Sequence, residues 1–150
     1  MTKRSSAEEF LESLDRDAIV AAIRSAEAKG LGEIRVHLHK GRVDDPRAEA
    51  EKVFVRLGMA ATAHRTGCLL FLAPAERAFA VIGDQAIHAK VGDDFWLEAR
   101  DAAAQHFTQG RFTDGIVAAV TKLGDALARH FPREAGKADV NELPDDVSEG

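Results

Sequence analysis

Two apolar runs separated by four residues constrain this chain more than any other feature. Cys68 to Ala73 and Ala78 to Ile82 flank Pro74, Ala75, Glu76 and Arg77, and so short a connection makes the runs antiparallel neighbours. The hairpin brings Arg65 to Gly67, which precede the first run, beside Gly83 and Asp84, which follow the second. The first run is apolar on both faces. A strand sustains that only when both faces are covered, so it belongs inside the sheet. Burying Leu69, Leu70, Phe71 and Leu72 contributes about 1.5–3 kcal/mol each.

Upstream, Ile19, Ala22, Ile23 and Ala26 recur at helical spacing behind a capping Asp15. They predict a helix over about 6–29, broken near Leu14 and Asp15 and stopped by Gly30 and Gly32. The period then changes to two: Ile34, Val36 and Leu38 alternate with Glu33, Arg35, His37 and His39, the pattern of a half-buried strand with one polar face. Asp45 and Pro46 open the next helix as N-cap and first residue, and it runs to about Leu57 before Gly58. A helix between two strands makes those strands parallel. After the hairpin comes a short helical turn around Ile87 to Val91. A helix capped by Asp93 or Asp94 follows, carrying Phe95, Trp96, Ala99, Ala103, His106 and Phe107 on one face and ending at Gly110. The last helix begins near Thr113 or Asp114, carries Ile116, Val117, Val120, Leu123, Leu127 and Phe131, and stops at Pro132. Residues 1–132 therefore read as one domain. Residues 133–150, acidic and small, read as a mostly disordered tail in which Val140 and Leu143 offer local docking.

With 150 residues, 45% of them hydrophobic, the chain has enough material for one domain with a core. A formal charge of −5 and the absence of tyrosine or any basic cluster argue against a nucleic-acid partner. No apolar run reaches the ~20 residues of a spanning helix, and Met1 leads into Ala7-Glu8-Glu9 without an apolar leader, so the expected location is cytoplasmic. Cys68 is the single cysteine, which excludes an internal disulfide and a multi-cysteine zinc site; its place in the apolar run reads as a small buried hydrophobe.

With the first two strands parallel and the third antiparallel, the starts of the first two and the end of the third share one rim. That rim collects Glu33, Arg65, Thr66, Gly67, Gly83 and Asp84. Glu33 and Asp84 beside exposed carbonyls suit a hard cation, Ca²⁺ or Mg²⁺, whereas Arg65 with the amides around Gly67 suits an anion. Against both stands an ordinary surface ion pair between Arg65 and Asp84. His37 and His39 share a strand face, but alternation alone accounts for them and no third metal ligand is located. His64 reads as a solvated loop residue. No nucleophile is identified: Pro74 stands six positions after Cys68, where a cysteine phosphatase needs arginine, and Asp15-Arg16-Asp17 opens a helix instead of following an apolar strand. No nucleophile elbow, Walker loop or dinucleotide fingerprint is present.

Several segments together resemble the TPM domain, the family of bacterial YgcG-like proteins and thylakoid-lumen proteins linked to photosystem II repair. They are Gly32 to Val36, Val53 to Met59 with Thr62, Arg65 to Phe71, Ile82 to Ile87, and Phe95-Trp96. Phe107 to Ile116 and Asn141 to Asp145 resemble stand-alone bacterial members. The resemblance implies an α/β fold in which a mixed sheet of about four strands is sandwiched between helices. It also implies divalent-cation binding, a contested acid-phosphatase activity, and a pocket at Glu33, Arg65, Gly67, Gly83 and Asp84. The expected function is an accessory protein that binds Ca²⁺ or Mg²⁺ and a protein partner, by family analogy a membrane protein or a LemA-like neighbour. The alternatives are a weak metal-assisted phosphomonoesterase and a purely structural interaction module. Threonine at Thr66, where asparagine is common in the family, removes a side-chain amide from the pocket.

Overall fold

The computed structural model describes residues 6–133 and 147–150. Helices α1 (Ser6–Ser13) and α2 (Arg16–Glu27) are separate, divided where Asp15 caps α2 by accepting the Ala18 N–H at 3.0 Å. Strand β1 (Ile34–Leu38) leads into α3 (Pro46–Arg56), capped by Asp45. Gly58 at φ 77° then turns the chain into a short 3-10 segment, Met59–Ala61. The hairpin forms as expected, with β2 (Cys68–Ala73) and β3 (Ala78–Gly83) paired antiparallel, and β1 pairs parallel to β2. Three helices close the domain: α4 (Gln85–Val91), α5 (Asp93–Phe107) and α6 (Phe112–His130). Gly92, not an aspartate, occupies the N-cap of α5, so Asp93 and Asp94 fall inside its first turn. There they suit the positive end of the helix dipole.

The sheet has the order β3-β2-β1-β4, and every residue of β2 is buried. Its two faces feed two apolar layers. Leu70, Leu72 and Val81 join β1, α2, α5 and α6 on one side; Leu69, Phe71 and Ala80 pack with Ala50, Val53 and Phe54 of α3 on the other.

The polar face of β1 and the last residues of the chain also differ from the sequence reading. The polar face of β1 is not a solvated one: His37 is 1% exposed, stacks on Phe71 with ring centroids 5.9 Å apart, and shares a 2.8 Å hydrogen bond between Nδ1 and the Ser148 hydroxyl. The end of the tail is also part of the fold. Val147 is buried, and β4 (Ser148–Glu149) pairs parallel to β1, with His37 opposite Ser148 and Leu38 opposite Glu149. Strand β4 covers the outer edge of β1 at that end, which is why an imidazole there is shielded from water. Val140, Leu143 and the Asn141 to Asp145 segment lie outside the described residues.

Candidate functional site

Register places the rim. Ile34 lies opposite Cys68, and Cys68 opposite Gly83. One residue further, Glu33, Gly67 and Asp84 form a row across three strands. Backbone bonds hold the row together: Cys68 N–H donates to the Glu33 carbonyl (2.8 Å), Asp84 N–H to Gly67 (2.8 Å) and Ala86 N–H to Arg65 (3.0 Å). The chain thus brings together the residues singled out from sequence, although they do different things.

Asp84 is the N-cap of α4. Its Oδ1 accepts the Gln85 N–H at 2.7 Å, while Oδ2, buried in a side chain only 8% exposed, has no hydrogen-bond partner among the described residues. A buried carboxylate oxygen left without a donor is costly unless something else meets it. Arg65 does not meet it. Exposed and left-handed at φ 57°, Arg65 forms no ion pair with Asp84, and the surface-pair alternative falls. Thr66 is buried, and its hydroxyl donates inward to the Leu31 carbonyl at 2.8 Å. Glu33 is buried and already engaged.

The two glycines differ. A Cβ at Gly67 would meet ordinary contacts, the nearest at 3.5 Å, whereas one at Gly83 would overlap the Trp96 ring. That ring is pinned, because its Nε1–H donates to His88 Nδ1 at 2.9 Å. Gly83→Ala should therefore cost about 2 kcal/mol and lower the melting temperature by several degrees, with a shift in Trp96 fluorescence. An unchanged melt and emission would show the indole free to move.

Sequence reasoning missed Glu27. It is buried at the end of α2, and its Oε2 accepts the Ile34 N–H at 2.7 Å. The available signal was a carboxylate at a helix C-terminus, where the dipole disfavours negative charge. Glu27 and Asp84 both act on Cys68: burial first, then these two carboxylates, push its thiol well above the usual range. The thiol, which donates to the Thr66 carbonyl at 3.7 Å, is inert as a nucleophile.

Among the described residues no three His, Cys, Asp or Glu side chains converge as a metal cluster, and no helix is long and apolar enough to cross a membrane. The side-chain donors of Glu33, Thr66 and Asp84 are oxygens, the class a hard cation takes and thiolate- or imidazole-seeking metals do not prefer. Asp84 also lines a groove of about 760 Å³ between α3 and α5, floored by β3.

A family model described as TPM domain matches residues 5–126. Among solved structures, BA42 from the psychrophilic bacterium Bizionia argentinensis is similar at 39% identity and a TM-score of 0.81, covering 100% of this chain and 98% of that one. The N-terminal domain of cg2496 from Corynebacterium glutamicum shares the fold at 19% identity and a TM-score of 0.60, covering 85% of this chain and 80% of that one. No curated protein matches.

Proposed function

This chain belongs to the TPM domain family, and we propose that it is an accessory module that holds a divalent cation at Asp84 and engages a protein partner, without a catalytic nucleophile of its own. The observation that carries the cation half is Asp84 Oδ2, a buried anionic oxygen with no donor. Ca²⁺ or Mg²⁺ would take that oxygen, with water and rim carbonyls completing the shell and Glu33 adding negative charge from the same row. The inert Cys68 thiol speaks against covalent catalysis, and the exposed apolar side chains Val55 and Leu97 beside the same groove speak for a partner.

Amide shifts during Ca²⁺ and Mg²⁺ titration test this. Gly83 to Gln85 and Glu33 should move at millimolar metal, and the shifts should vanish in Asp84→Asn, which keeps the Oδ1 cap of α4 while removing the charge. Shifts that persist in Asp84→Asn, or none in the native protein, would refute the site. The phosphomonoesterase alternative, in which cation and Arg65 polarise a phosphate for attack by water, requires turnover of a chromogenic ester that disappears in the same variant.

A further inference from the structure

Among the described residues β3 is the outer strand of the sheet, and one of its sides has no strand partner. The alternation of its backbone is fixed by two bonds. Asp84 N–H reaches back to Gly67, and the Leu72 carbonyl reaches the other way to His39 N–H. In the observed register this turns Ala80, Ile82 and Asp84 toward β2, and leaves the N–H and C=O groups of Phe79, Val81 and Gly83 facing outward. Among the described residues no backbone hydrogen bond takes up those outward groups. An unpaired strand edge is a template for another strand.

This edge is recessed. Helix α3 flanks one face and α5 the other, and the groove of about 760 Å³ between them is of a size that accepts a short peptide. Its opposite banks carry the large apolar side chains that stand exposed among the described residues, Val55 (68%) and Leu97 (51%). Its charges are unbalanced: Asp45, Glu51, Asp84 and Asp93 line it against Arg47 and Arg100, and Arg47 lies 3.7 Å from Glu51. At the end of β3 sits the unpartnered, nine-tenths buried Asp84 Oδ2.

We propose that the groove binds an extended, lysine-bearing segment of a partner protein, which adds as a further strand to the outer edge of β3. Main-chain bonds to Phe79, Val81 and Gly83 supply register, alternate apolar side chains pack on Val55 and Leu97, and the lysine ammonium meets Asp84 Oδ2. A second copy of this chain does not supply the segment through the same edge, since its β3 (Ala78–Gly83) carries no lysine. The proposal rests on the partner half of the function above and names the chemistry of that partner.

The test uses the full chain in chelating buffer, because a divalent cation competes for the same oxygen. The probe is a capped heptapeptide alternating valine and threonine about a central lysine, compared with the same peptide carrying glutamate in place of lysine. The lysine peptide should slow amide exchange at Phe79, Val81 and Gly83 about tenfold at saturation. It should bind about tenfold more tightly than the glutamate peptide, and both Leu97→Glu and Asp84→Asn should weaken it. Equal affinity for the two peptides, or unchanged exchange at those three amides, overturns the proposal. Amide shifts confined to another face, or no shifts anywhere, overturn it while leaving a partner of different chemistry in force. The calcium titration is read separately, so the cation half stands or falls without reference to either peptide.

Discussion

Leu70→Asp abolishes the cooperative melt of this domain. Leu70 lies in the interior strand, opposite Val36 on one side and Val81 on the other, and its side chain is fully buried in the layer beneath α2, α5 and α6. The substitution removes about 1.5–3 kcal/mol of transfer free energy. It also buries a carboxylate among apolar neighbours, which adds several kcal/mol or forces the layers apart to admit water. A domain of this size has about 5–15 kcal/mol in total, so the native state is not retained. Leu70→Ala, which leaves a cavity and no charge, should cost about 2–5 kcal/mol and still melt cooperatively. Circular dichroism during urea titration distinguishes the two. A native-like transition in Leu70→Asp would mean that β2 is not the core strand.

What was legible in the sequence is what local chemistry writes there. The hairpin is encoded by two apolar runs and a turn too short to allow any other pairing. The break between α1 and α2 is written in Asp15, and the start of α3 in Asp45-Pro46. Chain direction then sufficed to put Glu33, Arg65 and Asp84 at one rim. The rest depends on contacts between distant segments. Strand β4 has two residues, too few for an alternation to register, and it forms because Ser148 and Glu149 find His37 and Leu38 more than a hundred positions away. The covering of the polar face of β1 follows from that docking. Glu27 reads as one more charge on an amphipathic helix until tertiary packing aims it at the Ile34 N–H. Nor does anything local to Asp84 announce that one of its oxygens is capped and the other left over.

His37 makes the stability of the domain fall as the solution is acidified. Its ring is almost wholly buried. Burial, followed by the charges of Arg56, His39 and Arg35, lowers its pKa from 6.5 to about 4. The unfolded chain therefore takes up the proton first. This contribution to stability is fully present above pH 6.5 and is lost progressively as the pH falls toward 4; below that both states are protonated and no further loss comes from this group. The shift corresponds to at most about 3 kcal/mol, a large share of the stability of a domain this size. Because Nδ1 is bonded to Ser148 and Nε2 has no partner among the described residues, the charged ring would also sit against Phe71 without a second acceptor there. His37→Phe removes the titration while keeping a flat ring on Phe71, at the expense of the Ser148 bond. Urea unfolding of both proteins should give a steeper decline for the native chain between pH 6.5 and 4, with a constant difference between the two curves above and below that window. Curves that stay parallel throughout would show that His37 is protonated in the folded state as readily as in the unfolded one.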